Sequence, residues 1–249
     1  MPTLRAINVV ANSKELIGVA NSANEGTVLK RQLDLRTVYR PGELLETVPG
    51  LIVTQHSGEG KANQYFLRGF NLDHGTDLRI SVDGMLVNQR SHGHGQGWAD
   101  TNFIIPELAN SIQYLKGPYY ADQGDFSSAG AIHMGYADTL PKGILSYGIG
   151  QQGFMRGLIA KSHQVGNGNV LYATELLTKD GPWIKHEDFN KFNSVLRYSQ
   201  NDGPTKFNIT AMGYGGKWNA TDQIPLRGVT SGFIPRLGAI DPSDGAQAH

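Results

Sequence analysis

The chain has 249 residues, 22 of them basic and 22 acidic, and its formal net charge is zero. That balance gives no electrostatic case for nucleic acid or an anionic membrane surface as a partner, and the lack of cysteine excludes a disulfide framework, a thiolate nucleophile and a Cys-based zinc site. Charged residues are only 18% of the chain and glycine reaches 32 residues, which favours a turn-rich β protein; no 18-residue apolar run supplies a transmembrane helix, although barrel strands remain open because they alternate and keep mean hydropathy low.

Residues 1 to about 30 read as polar and irregular, apart from Arg5 to Ala11, which has the composition of a short strand. No charged region followed by an apolar stretch and a small-residue cleavage site opens the chain, so it reads as a mature product or as lacking its true start. Pro41 to Val48 predicts a two-turn helix, with Pro at the first helical position, Glu43 in the first turn and Pro49-Gly50 as the stop. Leu51 to Gln55 predicts a buried strand, and Tyr65 to Phe70 another. Leu78 to Val82 and Met85 to Asn88 flank Asp83-Gly84, the signature of a type I′ hairpin. Pro106 to Ala109 predicts a short helix, and Ile112 to Lys116 a strand ended by Gly117-Pro118. Residues 1–140 thus read as one α+β module of ordinary domain size.

Near residue 140 the texture changes. Residues 141–249 carry segments of alternating polarity: Gly143 to Gln151, Phe154 to Gln164, Asn169 to Lys179, Phe189 to Gln200 and Lys206 to Gly215. In the last, Lys206, Asn208 and Thr210 share one face and Phe207, Ile209 and Ala211 the other. Val165 to Gly168 and Asn201 to Pro204 are tight turns, whereas Gly181 to Asp188 and the stretch after Trp218 are longer. Repeated period-2 alternation at that length, with short turns at one end and long loops at the other, predicts antiparallel transmembrane β-barrel strands. About five strands cannot close, and an open edge is not tolerated in a bilayer. The expectation is therefore an incomplete barrel, the N-terminal part of a longer one.

The residues also resemble a family. Leu44-Leu45-Glu46-Thr47-Val48-Pro49-Gly50-Leu51, Phe66-Leu67-Arg68-Gly69-Phe70, Val82-Asp83-Gly84, Ile105-Pro106-Glu107-Leu108, Ile112 to Pro118 and Ala129-Gly130-Ala131-Ile132 are similar, in this order, to the plug motifs of TonB-dependent outer-membrane receptors. The resemblance implies a plug domain over 1–140 that occludes a 22-stranded barrel begun by 141–249. It further implies residence in the outer membrane of a Gram-negative bacterium, among lipid and lipopolysaccharide, and capture of a scarce ligand from outside. That ligand is expected to be a ferric siderophore or other metal chelate, carried as cargo and not as a cofactor, with energy from the TonB complex. Ala6 to Val10 is either the TonB-contacting box or the first plug strand.

The densest chemistry lies in Asp73-His74-Gly75-Thr76-Asp77 and in Ser91 to Asp100, which holds His92-Gly93-His94. An H-x-H pair in glycine-rich backbone is able to turn both imidazoles toward one cation, with carboxylates completing the shell. His74, Asp77, His92, His94 and Asp100 are thus expected ligand contacts, with His92 and His94 the metal donors. The bland reading is that these loops pack inside the barrel and bond to its wall. On the third barrel strand Leu171, Ala173, Glu175, Leu177 and Lys179 share a face, and a carboxylate is too costly toward lipid, so this parity should face the lumen. There Glu175 either pairs with Arg68 of the plug as a plug–barrel latch or stands as a solvated carboxylate. Trp183 and Trp218 read as an interfacial girdle.

No hydrolytic triad or acid–base carboxylate pair has support. Gly58 to Ala62 lacks the first glycine and the Ser or Thr of a phosphate-binding loop, and Gly93, Gly95 and Gly97 have the wrong spacing for a dinucleotide site. The chain is expected not to be an enzyme. The rivals are a soluble metal-dependent hydrolase built on the His/Asp cluster and a passive porin or adhesin.

Overall fold

The computed structural model describes residues 18–55, 58–221, 223–241 and 247–248. The strand expected within Arg5 to Ala11, and with it the Ala6 to Val10 segment, lies outside them.

The first half is built on a mixed six-stranded sheet in the order β1-β2-β8-β9-β6-β7, from β1 (Gly18–Ala20), β2 (Glu25–Leu29), β6 (Leu78–Val82), β7 (Met85–Leu86), β8 (Ala109–Lys116) and β9 (Gly130–Tyr136). β6 and β9 run parallel, and the other pairs antiparallel. A second sheet joins β3 (Leu51–Thr54), β4 (Gln64–Leu67) and β5 (Phe70–Asn71). β1, β2 and the one-turn helix α1 (Lys30–Asp34) correct the reading of the first 30 residues as irregular: these strands are too short to show alternation, and they form because β2 pairs with β8 and β1 with β2.

The expected helix after Pro41 is a 3-10 turn over Pro41–Thr47, and Pro106–Leu108 forms another. The Glu43 carboxylate accepts the backbone N–H groups of Tyr39 and Arg40 at 3.0 and 3.2 Å, which fixes the chain entering this helix at its N-cap. Leu44 and Leu45 enter a core with Ile80, Ile105, Leu108 and Ile132, all essentially inaccessible. At the hairpin, Asp83 and Gly84 have φ of 49° and 81°, the left-handed pair that a type I′ turn requires.

The second half is one antiparallel sheet in sequence order: β10 (Ile144–Ile149), β11 (Met155–Val165), β12 (Gly168–Lys179), β13 (Phe189–Asp202), β14 (Thr205–Asn219) and the two-residue β15 (Gln247–Ala248). The loop after β14 carries a short helix α2 (Leu226–Thr230). On β12 the expected parity holds: Leu171, Ala173, Glu175 and Leu177 are buried, while Tyr172 and Leu176 are exposed. β11 and β13 follow the same rule. Leu145, Tyr147, Ile149, Ile159, Leu196 and Ile209 face outward, whereas Lys191, Asn193, Arg197 and Ser199 are buried against the first half. A wall with apolar residues outside and charged residues inside is inverted relative to a soluble sandwich and matches a lipid-facing barrel wall.

Candidate functional site

Because the inner wall is charged, it needs partners, and the first half supplies them with consistent sign. Arg156 of β11 donates two parallel bonds from Nη1 and Nη2 to the Oε atoms of Glu107, at 2.6 and 2.9 Å, while its Nε reaches Glu175 at 2.6 Å. Lys191 and Asn193 of β13 meet the other Glu175 oxygen at 3.0 and 2.9 Å. Arg197 bonds Asp83 at 2.6 Å and Asp138 at 2.7 Å. Lys179 bonds Glu59 at 2.5 Å, and Arg40 shares that carboxylate at 3.2 Å. Burial raises the Glu59 carboxyl, but Arg40 and Lys179 outweigh it and hold it below the ordinary carboxylate range.

The expected Arg68–Glu175 pair is not made. Arg68 and Gly69 have φ of 55° and 82° and turn β4 back into β5, which sends the exposed guanidinium to the Asn24 side chain at 2.5 Å and the Ala23 carbonyl at 3.4 Å. Glu175 is satisfied within the wall. The tie between the halves therefore has the opposite polarity from the one expected: cations on the strands, acids on the module.

At one end of the wall the β12–β13 loop grips residues 58–61. The buried Glu187 carboxylate accepts the Glu59 N–H at 3.2 Å and the Trp183 indole N–H at 2.8 Å, and Thr221 Oγ1 accepts the Gly58 N–H at 2.7 Å. Burial, with the neighbouring Glu59 charge, raises the Glu187 carboxyl. Gly60 has a φ of 83°, and a Cβ there would sit 2.3 Å from the Trp218 ring. Both tryptophans are half-buried against this loop, so they are not turned outward as a girdle; the contact with the glycine-rich loop draws them in.

The histidines gather nearby, around Trp98. His92 stacks on the indole at 4.4 Å and 13°, His74 lies 4.6 Å from it, and His94 4.9 Å. His74 is buried, with Nδ1 at 2.9 and 3.2 Å from the Ala62 and Asn63 carbonyls. His74 and His94 meet edge-on at 4.8 Å. Their donor atoms and an Asp73 oxygen lie within 4.8 Å of one another. His92 does not join them, because its Nδ1 accepts the His94 backbone N–H at 3.1 Å.

Asp77 and Asp100 stand apart from this group. Asp77 accepts bonds from Thr76 and Ser128 and lines a cavity of about 340 Å³ with Tyr120 and Phe126. Asp100 accepts the Asn102 N–H at 2.8 Å, and burial pushes its carboxyl up to about 6. Asp73 was absent from the expected ligand set. Neighbours in an extended chain point apart, but Asp73, His74 and Gly75 have φ of 32°, 66° and 107°, and this left-handed run brings two consecutive side chains to one side.

Three kinds of comparison bear on this arrangement. Residues 20–131 match the family described as the TonB-dependent receptor plug domain. A curated relative, the vitamin B12 transporter BtuB of Vibrio vulnificus (strain YJ016), is 29% identical over 126 residues, which is 51% of this chain and 19% of the relative. Among solved structures, the copper transporter OprC superposes with a TM-score of 0.61 at 18% identity, over 82% of this chain and 32% of its own. The siderophore receptor PirA from Acinetobacter baumannii gives a TM-score of 0.56 at 15% identity, over 79% of this chain and 32% of its own. The fold is shared with these structures, of which the chain spans about a third.

Proposed function

Because residues 20–131 are the plug domain of a TonB-dependent receptor, we propose that the chain serves energised uptake of a scarce ligand across the outer membrane of a Gram-negative bacterium. The ligand class we favour is a ferric siderophore or another metal chelate. A curated relative named for vitamin B12 supports this class. In this reading residues 1–140 are the plug and 141–249 the start of the barrel wall, in contact with lipid and lipopolysaccharide. TonB supplies the force. His92 and His94, exposed around Trp98, are the ligand-facing contacts, with His74 buried behind them and Asp77 and Asp100 farther off.

The observation that carries the reading is the wall itself: apolar outside, charged inside, and tied to the module by Arg156–Glu107, Arg197–Asp83 and Lys179–Glu59. A soluble hydrolase would expose Leu145, Tyr147 and Ile149 to water without a partner. A passive porin has no use for a module that fills its lumen.

The test is accumulation of a radiolabelled ferric siderophore panel by cells expressing the full receptor, with and without a protonophore. Uptake that stops when the proton gradient is dissipated is the expected result. Uptake that persists identifies a passive channel, and a native membrane-free species of 27.1 kDa would remove the barrel from the argument.

A further inference from the structure

We infer that residues 117–129 form a movable strap that couples the histidine loop at residues 91–97 to strand β2. The strap leaves the central sheet at the end of β8 and rejoins it at the start of β9. Its ends meet, because the Gly117 N–H donates to the Ala129 carbonyl at 2.7 Å. A surface loop closed at its base in this way is a compact unit packed by its own side chains. Gly117 and Gly130 at its roots have φ of 93° and 145°, backbone angles that only glycine reaches without strain.

Phe126 is the contact with the histidine loop. A Cβ at Gly97 would lie 2.9 Å from the Phe126 ring and 2.8 Å from the Thr76 Cα, so the ring seats where a side chain would displace it. Gly97 itself is fixed, with its N–H on the Gln89 carbonyl at 2.7 Å and its carbonyl accepting the buried Asn88 amide at 3.0 Å. Phe126 has a φ of 65°, an unfavourable angle for a bulky residue, and such strain persists only where the surroundings enforce it.

The other contacts of the strap run to the sheet. The Tyr120 hydroxyl donates to Glu25 of β2 at 3.1 Å. His133 Nε2 of β9 donates to the Gln123 side-chain oxygen at 2.6 Å, and His133 Nδ1 accepts the Ser81 hydroxyl of β6 at 2.6 Å. The Gln123 amide nitrogen donates to Asp122 at 3.0 Å, which sets the amide in this orientation. At the base, Ser128 Oγ and the Ala129 N–H donate to the Asp77 carboxylate and carbonyl at 2.5 and 2.9 Å.

Three observations mark the present position of the strap as one of two. The cavity of about 340 Å³ lies between the strap, at Tyr120, Gly124 and Phe126, and the turn at Thr76 and Asp77, so there is space to move into. The buried Arg79 Nε has no partner among the described residues, and Arg79 Nη1 reaches the Asp125 carbonyl of the strap only at 3.5 Å. An unmatched buried donor is costly, and a strap shifted toward Arg79 shortens that contact. The third is the strained Phe126, which a shift relieves. Displacement of Gly97 therefore moves Phe126, and the strap carries the movement to Glu25. Its use in uptake rests on the receptor function proposed for the chain, whereas the coupling itself does not.

The test is amide hydrogen exchange of the full receptor in detergent, with no ligand added. Gly97→Ala pushes on Phe126, and Phe126→Gly removes the ring while suiting a left-handed φ. Each is made alone and in a Tyr120→Phe background, which lacks the hydroxyl bonded to Glu25. Either substitution alone should accelerate exchange in β2 at least about fivefold while β9 changes less than about twofold. In the Tyr120→Phe background the same substitutions should alter β2 less than about twofold, the non-additivity expected of coupled positions. Acceleration confined to residues 91–97 and 117–129, equal acceleration of β2 in both backgrounds, or acceleration of β9 by the same factor would overturn the coupling. Phe126→Gly carries the comparison alone if Gly97→Ala does not fold. None of these outcomes touches the gradient dependence of uptake, so the two readings fail separately.

Discussion

Arg156 and Glu107 face each other as a two-pronged pair, guanidinium on the strand wall and carboxylate on the 3-10 turn of the plug, with contacts of 2.6 and 2.9 Å. Parallel bonds of this kind are stronger and more directional than a lysine contact. Glu107→Ala should therefore free the plug without disturbing the wall, since Arg156 keeps Glu175. Because Arg156 keeps a carboxylate partner, no buried charge is stranded and the loss should be about 1–2 kcal/mol. In a planar bilayer, the urea concentration that opens conductance through the variant receptor should fall measurably below that of the parent.

Asp83 ties the plug to Arg197 from a different hairpin, on a different strand. Distant, independent sites add. Asp83→Asn and Glu107→Ala should thus lower the opening concentration by amounts whose sum is reached in the double variant, within about 0.5 kcal/mol. A double variant no worse than the worse single would show that one tie alone holds the plug.

Asp100 makes stability depend on pH. Its folded value of about 6 lies above the ordinary 3.8, so the folded state binds the proton more tightly than the unfolded one. The stabilisation from this group is complete below about pH 3.8 and is lost as pH rises through 6. Asp100→Asn keeps an oxygen for the Asn102 N–H and removes the charge. It should stabilise the receptor by about 1–2 kcal/mol at pH 7.5 and by almost nothing at pH 4, as read by thermal unfolding at the two values.

Gly60→Ala places a methyl group against the Trp218 ring at a φ of 83°. Strain and displacement together should cost about 1–3 kcal/mol. The loss is local: amide exchange at residues 58–61 should accelerate at least tenfold, while β8 and β9 keep their protection.

The barrel strands were legible because period-2 alternation sustained over ten or more residues arises from little except a strand with two unlike faces, and β11 to β14 begin and end within a few residues of their expected bounds. Asp83-Gly84 was legible because almost nothing else makes a type I′ turn. The strands β1 and β9 were not, since Gly18–Ala20 is too short and Gly130–Tyr136 too rich in small residues to alternate. The latch failed for a different reason. Alternation says which way Glu175 points, but a single strand does not reveal its register against neighbours. It is register that sets Lys191 and Arg156 beside Glu175 and leaves Arg68 to Asn24. The histidines were legible as metal-type donors, whereas their grouping depends on backbone angles at Asp73 and His74 that no composition encodes.

The sign of the ties bears on what travels past them. If Glu59, Glu107 and Asp83 withdraw with the plug, the wall they leave presents Lys179, Arg156, Lys191 and Arg197, with Glu175 set among them. In the receptor proposed for the chain, this stretch of wall would favour an anionic complex over a naked dication.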